Sequence, residues 1–189
     1  MAAGTAARGL SVLTLNAASR TGFTGAMAPF FEGAPRFLAT LASARPFRDE
    51  ADLFGRAAAI ALAMPEADQL ELLDAHPRIG APQGVMSAAS RVEQGYDRLQ
   101  GGGADSGADS GADQAQGRLQ ADLGRLNAAY EARFGFRFVI FVAGRPPAEI
   151  VPLMEARLGG PRDAEMQTAL ADVVAIAFDR WRKAEVNES

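Results

Sequence analysis

Hydrophobic side chains recur every three or four positions along most of this 189-residue chain, which is the spacing of one face of an α-helix. The stretch PRDAEMQTALADVVAIAFDRWRKAE, residues 161–185, is the longest example. Its apolar stripe comprises Ala169, Val173, Ile176, Ala177 and Trp181. This pattern predicts an all-α fold of about seven or eight helices, packed as a single domain over residues 1–189.

One stretch departs from the helical spacing. Residues 134–144, FGFRFVIFVAG, are rich in aromatic and β-branched side chains, as a strand would be. The sequence offers no second convincing strand to pair with it, and a lone strand leaves backbone groups unsatisfied. We therefore predict a buried segment, helical or irregular, that either belongs to the core or walls a pocket with its backbone groups.

Prolines and acidic first turns mark where the helices begin and end. Pro29 and Pro35 are expected to break the stretch 21–43 into short helices. Another helix is expected from about Asp49 to Met64, and Pro65 suits the start of the next. The later helices are predicted at 87–99, 118–134, 146–158 and 161–185.

Between two of these helices lies a low-complexity stretch, QGGGADSGADSGADQAQG, at residues 100–117. Its many glycines and lack of large apolar residues predict a flexible surface loop. A calcium-binding loop is disfavoured because it needs richer oxygen-ligand spacing and a closing bidentate carboxylate.

Composition excludes several classes of chemistry. The chain has no cysteine and one histidine, so thiolate nucleophiles, disulfides and multi-histidine metal sites are excluded, and no metal is expected. A net charge of −4 and spread arginines argue against nucleic-acid binding. No apolar run is long enough to span a membrane, and residues 1–16 lack the order of a secretory signal, so we expect a cytoplasmic protein.

The single histidine, His76, lies in LLDAHPRIGAPQG, where a predicted helix ends. Pro77 disfavours helical geometry at His76 and restricts its backbone. Two interpretations stay open: a histidine that contacts the last helix carbonyls, or an imidazole held at the mouth of a cleft.

The motif SRVEQG, residues 90–95, also allows two interpretations. Ser90 and Glu93 have the spacing of a capping box at a helix start. Alternatively, Glu93 orients His76 while Gln94 offers a donor and an acceptor to a polar ligand.

Two arginines near tryptophan and helix ends are equally ambiguous. Arg180 precedes Trp181 and either covers it from the surface or turns inward to bind a carboxylate. Arg157 in MEARLGG admits both interpretations, and its position at a helix end favours capping.

Several motifs occur together in an order that resembles a known family. They are LN…F…FE…P, RPF, LLDAHPRIG, SRVEQG, LNAAYEARFGFRFVIFVAGRP, EARL, E…AL and IAFDRW. From about Leu15 to Arg182 the chain resembles 2-oxo-4-hydroxy-4-carboxy-5-ureidoimidazoline (OHCU) decarboxylases, carboxy-lyases of urate oxidation in purine metabolism. The resemblance implies an all-α, cofactor-free homodimer that converts OHCU to (S)-allantoin.

The resemblance also implies roles for particular positions. His76 matches the catalytic histidine, Glu93 its acidic partner, and Arg180 the arginine that holds a polar or anionic part of the ligand. The positions that match substrate contacts are Pro77, Ser90, Gln94 and the segment Phe138, Val139, Ile140, Phe141 and Val142. The histidine's ordinary pKa of about 6.5 suits a proton shuttle at neutral pH.

Two features depart from the family pattern, and a third position follows one of its two common forms. The stretch 100–117 is longer than the usual connection, and RLGGP replaces a common asparagine after the RL pair, which makes a role for Arg157 doubtful. Arg78 stands where the family also has aspartate, so it is not expected to be catalytic.

Two other functions remain open at this point. One is a non-catalytic helical binding module, in which His76 and Glu93 only cap helices. The other is a related ureide hydrolase or isomerase that uses the same acid/base pair with water and releases no carbon dioxide. Catalysis requires His76, Glu93 and Arg180 to converge on one pocket.

Overall fold

The computed structural model describes residues 11–81, 87–93 and 110–186. Within these residues the chain forms nine α-helices and no strand, which confirms the predicted all-α fold. The helices are α1 (Val12–Ala17), α2 (Arg20–Met27), α3 (Pro35–Ser43), α4 (Glu50–Ala63), α5 (Glu66–Asp74), α6 (Ala88–Glu93), α7 (Ser110–Phe134), α8 (Pro147–Leu158) and α9 (Arg162–Val186). In this part of the chain, no helix has the length and hydrophobicity needed to cross a membrane.

The chain divides into two compact units. The first takes its described residues from Met1–His76 and Gln167–Ser189, and the second from Pro77–Met166. Helix α9 therefore contributes its first residues to the second unit and the rest to the first. The expectation of a single domain over residues 1–189 stays a prediction.

Polar side chains fix the starts of three helices in the first unit. Ser11, Ser19 and Asp49 are the N-caps of α1, α2 and α4, and each accepts a hydrogen bond from a first-turn N–H. Helix α3 packs against α2, α4 and α5. The caps satisfy N–H groups that have no partner within the helix, so each helix begins at a defined residue.

The predicted break inside 21–43 is confirmed. Helix α2 ends at Met27 and α3 begins at Pro35, whose fixed φ suits a first helical position. In the turn between them, Glu32 and Gly33 have φ of +51° and +83°, in the left-handed region. Glycine adopts this region readily, whereas glutamate does so at an energetic cost.

Aromatic side chains anchor the same turn in the core of the first unit. The ring of Phe30 lies 5.6 Å from that of Trp181, and the ring of Phe31 lies 4.7 Å from that of Phe37. All four side chains are buried. Burial of these rings holds the turn between α2 and α3 against the C-terminal part of α9.

In the second unit, α7 packs against α8, and Tyr130 is the centre of an aromatic cluster. Its ring centroid lies 4.6, 5.7 and 5.1 Å from those of Phe134, Phe136 and Phe138. Residues 137–142 have no regular secondary structure, and most of their side chains are buried. Of the two conformations predicted for 134–144, the irregular one is correct.

One predicted boundary needs revision. Helix α7 begins at Ser110, so the assignment of 110–117 to a loop is wrong. Residues 114–118 are exposed, and their glutamine and alanine content supports a helix that extends beyond its packed part. The remainder of the predicted loop, 100–109, and the predicted helical residues 94–99 lie outside the described residues.

Candidate active site

His76 lies just beyond the C-terminus of α5, and its side chain is 4 % exposed. Its Nδ1 lies 3.1 Å from the carbonyl oxygen of Leu72, and its backbone N–H donates to the carbonyl of Leu73. A carbonyl can only accept, so this contact places a proton on Nδ1. In the neutral ring, Nε2 is then the basic nitrogen, which is the form that a general base requires.

The loop that follows His76 is held against α7 by Asn127, a side chain that sequence inspection did not single out. Asn127 Nδ2 donates to the carbonyl oxygens of Ile79 and Leu123, at 2.9 and 2.8 Å. Gly80 has φ of +78°, and a Cβ there would lie 2.9 Å from Leu123 Cδ1. Only glycine therefore fits this approach without displacement of Leu123, and the loop backbone is fixed two and three residues beyond Pro77, at Ile79 and Gly80.

Arg78 is engaged in a surface ion pair. Its Nε and Nη2 each lie 2.6 Å from a carboxylate oxygen of Glu131. The bidentate contact, more than any other factor, lowers the pKa of Glu131. This geometry gives Arg78 a structural contact, and the expectation that it is not catalytic stays a prediction.

The loop and α7 also line a cavity of about 580 Å³ in the second unit. Its lining includes Pro77, Gly80, Gln120, Asn127 and Arg137. Among the predicted site residues whose side chains the structure describes, Pro77 is the one that lines it.

Arg180 is buried, with 7 % of its surface exposed, so the interpretation of a surface arginine is wrong. Its Nη2 lies 2.8 Å from Glu32 Oε1, and its Nη1 donates to the carbonyl oxygens of Pro29 and Phe30 at 3.1 and 3.3 Å. The guanidinium turns inward and binds a carboxylate, as the alternative interpretation required. That carboxylate belongs to the protein itself.

Ser90 is a buried residue inside α6, not its N-cap. The Ser87 hydroxyl accepts a hydrogen bond from the Ser90 N–H at 3.1 Å, and this is the geometry of an N-cap three residues upstream. The capping-box interpretation of Ser90 and Glu93 is therefore wrong. Glu93 is the last residue of α6, while its side chain and Gln94 lie outside the described residues.

The segment Phe138–Val142 is held from both ends. Arg145 donates from its side chain to the carbonyl oxygens of Phe141 and Val142. At the other end, the Phe138 ring lies 4.7 Å from the guanidinium carbon of Arg157. An irregular segment has no regular pattern of backbone hydrogen bonds, so these contacts define the course of its backbone.

Arg157 belongs to a buried polar cluster, and the expectation that it caps a helix is wrong. Its Nε donates to Glu165 Oε1 at 2.7 Å, and Nη2 lies 2.6 Å from the same oxygen. The Tyr130 hydroxyl donates to that carboxylate as well. Burial, followed by the neighbouring Glu165 carboxylate, raises the pKa of Tyr130. The cluster ties α7, α8 and the start of α9 together.

The predicted site residues are divided between the two units. His76 and Arg180 belong to the first, and Pro77, Ser90, Glu93 and Phe138–Val142 belong to the second. Their convergence on one pocket stays a prediction. Among the residues that the structure describes, no three His, Cys, Asp or Glu side chains form a group that could hold a metal ion.

Comparison with solved structures finds a protein of similar fold. A solved structure of OHCU decarboxylase in the presence of (S)-allantoin superposes with a TM-score of 0.58 over 80 % of this chain and 91 % of that chain. The two sequences are 22 % identical, so the likeness concerns the fold.

Curated relatives cover the chain in sequence. The uric acid degradation bifunctional protein PucL of Bacillus subtilis is 29 % identical over 91 % of this chain, which spans only 32 % of that protein. The 2-oxo-4-hydroxy-4-carboxy-5-ureidoimidazoline decarboxylase of Haloferax volcanii is 32 % identical over 89 % of this chain and 92 % of its own length. The family model of OHCU decarboxylase matches residues 16–182. The chain therefore belongs to the OHCU decarboxylase family.

Proposed function

We propose that the protein decarboxylates OHCU stereoselectively to (S)-allantoin in urate degradation, by acid/base catalysis without a cofactor. The observation that carries the proposal is the His76 ring, buried at the end of α5 with Nδ1 directed at the Leu72 carbonyl. This contact favours the tautomer in which Nε2 accepts a proton. Family membership supplies the substrate on which that base acts.

The substrate's own structure makes a cofactor-free reaction reasonable. One ring carbon carries both a hydroxyl and the carboxylate, and the adjacent carbon is part of a C=N bond. When the carbon–carboxylate bond breaks, carbon dioxide leaves and the electron pair moves into the C=N system. The product of this step is an enol. Its hydroxyl group then loses a proton to become a carbonyl, and a proton adds to one face of the carbon that carries the ureido group.

The residues have distinct roles in this proposal. His76 Nε2 takes the hydroxyl proton, Glu93 is its acidic partner, and Arg180 holds the substrate's carboxylate. Ser90, Pro77, Gln94 and the segment Phe138–Val142 contact the rest of the substrate. The support comes from the matched motifs, the burial of Ser90 and the defined course of the segment.

We also propose that the protein acts in the cytoplasm as a homodimer, as the family resemblance implies. Size-exclusion chromatography with light scattering tests the dimer, which predicts twice the chain mass of 19.8 kDa. A mass equal to one chain at micromolar concentration would contradict it.

The activity is tested with OHCU generated in situ from urate. Its decay is followed by ultraviolet absorbance, while circular dichroism records the handedness of the allantoin formed. We expect faster loss of OHCU and an optically active product. Decay at the spontaneous rate to a racemate would favour the binding module, and OHCU consumption without carbon dioxide release would favour a hydrolase or isomerase.

A further inference from the structure

The charge of Arg180 is met inside the first unit by the carboxylate of Glu32. Glu32 Oε1 lies 2.8 Å from Nη2, and the two side chains are 12 % and 6 % exposed. In such a setting the electrostatic interaction is strong because little water screens it. Two backbone carbonyls, those of Pro29 and Phe30, accept hydrogen bonds from the same guanidinium.

Glu32 makes this contact from a strained backbone conformation. Its φ is +51°, and glutamate adopts left-handed geometry only at a cost, whereas glycine or asparagine would suit the turn better. If only the backbone course of the turn mattered, glycine or asparagine would be expected at this position. Backbone strain of this kind persists where the side chain makes an interaction that compensates for it.

We infer that Glu32 is a positioning residue that moderates the charge of Arg180 towards the substrate's carboxylate. This inference rests on the proposed function, in which Arg180 holds that group. During decarboxylation the negative charge leaves the carboxylate and moves into the ring. A fully unopposed guanidinium would therefore stabilise the substrate more than the transition state and slow the reaction.

The inference predicts that loss of the Glu32 charge makes substrate binding tighter and turnover slower. Glu32→Gln keeps the size and backbone preference of the side chain but removes its charge. We expect KM for OHCU and kcat to fall together, each by about tenfold, the scale of one charge-assisted hydrogen bond. A residue that only stabilised the turn would lower kcat or active-enzyme concentration without lowering KM.

A matched control is available one residue before Arg180. Asp179 pairs with Lys183 on the exposed side of α9, so Asp179→Asn removes one negative charge without removing a partner of Arg180. We expect its KM and kcat to equal those of the unaltered protein. If Asp179→Asn reproduces the Glu32→Gln pattern, net charge explains the effect and the inference is wrong.

Equilibrium binding provides a readout that does not need turnover. Titration calorimetry with allantoate, which has a carboxylate, is compared with allantoin, which has none. We expect Glu32→Gln to bind allantoate about tenfold more tightly and allantoin with unchanged affinity. Equal changes for both ligands, or none for allantoate, would overturn the inference.

A second variant and the activity of the unaltered protein distinguish failure of this inference from failure to fold and from failure of the proposed function. If Glu32→Gln does not fold, Glu32→Gly replaces it, because glycine accepts the left-handed turn and also removes the charge. The same fall in KM and kcat is expected, and an unchanged KM in that variant would contradict the inference. If the unaltered protein does not accelerate OHCU loss, the proposed function fails, whereas failure of the inference leaves that acceleration intact.

Discussion

The buried pair of Arg157 and Glu165 offers a quantitative test of what holds the second unit together. The side chains are 16 % and 6 % exposed, and the Tyr130 hydroxyl donates to the same carboxylate. Arg157→Met removes one charge and leaves Glu165 as a buried carboxylate without its cation. We expect the free energy of unfolding to fall by about 3 kcal/mol, the lower part of the range for breaking a buried pair, because Arg157 retains some contact with water.

The loss is measured by urea or thermal denaturation followed by circular dichroism. For a chain of this length, the expected decrease in melting temperature is roughly 6–12 °C. A matched control is Arg125→Met, since Arg125 pairs with Asp122 at the surface, where the side chains are 60 % and 49 % exposed. That variant should lose less than about 1 kcal/mol.

A double variant separates the pair from the rest of the cluster. Glu165→Gln keeps an acceptor for the Tyr130 hydroxyl, so Arg157→Met with Glu165→Gln no longer has a buried uncompensated charge. We expect the double variant to be more stable than Arg157→Met alone. A loss in Arg157→Met no greater than that in Arg125→Met would refute the reasoning.

Three further predictions concern the site, the loop and acid stability. His76→Ala should nearly abolish OHCU decarboxylation while the far-ultraviolet spectrum stays helical; retained turnover would remove His76 from the chemistry. Deletion of 101–109 should change kcat and KM little, and a large loss of turnover with the fold preserved would show that this stretch shapes the site. Arg78 lowers the pKa of Glu131, so their pair contributes stability above the ordinary glutamate pKa and loses it as the pH falls through the lowered value. Glu131→Gln should therefore be less stable than the unaltered protein at pH 7, by less than about 1 kcal/mol, with a difference that disappears in acid; a difference that persists at low pH would contradict this.

Local sequence signals predicted the features that local chemistry determines. Pro35 was expected to break the stretch 21–43, and α3 begins there; the segment 134–144 was predicted to be buried and helical or irregular because no second strand could satisfy its backbone, and residues 137–142 are irregular. The predicted helix start at residue 87 is close to the observed start of α6 at Ala88, but Ser90 was assigned as a capping residue because Ser87 and Ser90 both suit an N-cap. The glutamate three residues after Ser90 favoured the wrong one.

Long-range polar contacts left no such signal. Tyr130 and Glu165 are 35 positions apart, and Glu32 and Arg180 are separated by most of the chain, so no spacing rule connects them. The interpretation of Arg157 as a cap followed from its position near a helix end. Its partner, Glu165, lies at the start of α9, so the contact depends on how α8 and α9 pack and not on the local sequence.

The candidate site uses the ends of secondary structure to fix its reactive side chains. Carbonyls at a helix end or in a turn lack the regular intrahelical partner and accept hydrogen bonds from side chains instead. His76 satisfies the Leu72 carbonyl at the end of α5, and Arg180 satisfies those of Pro29 and Phe30 in the turn after α2. Each contact supplies a missing backbone partner and also orients an imidazole or a guanidinium. A substitution that extends either helix would therefore disturb the orientation of these groups without changing any of the proposed catalytic residues.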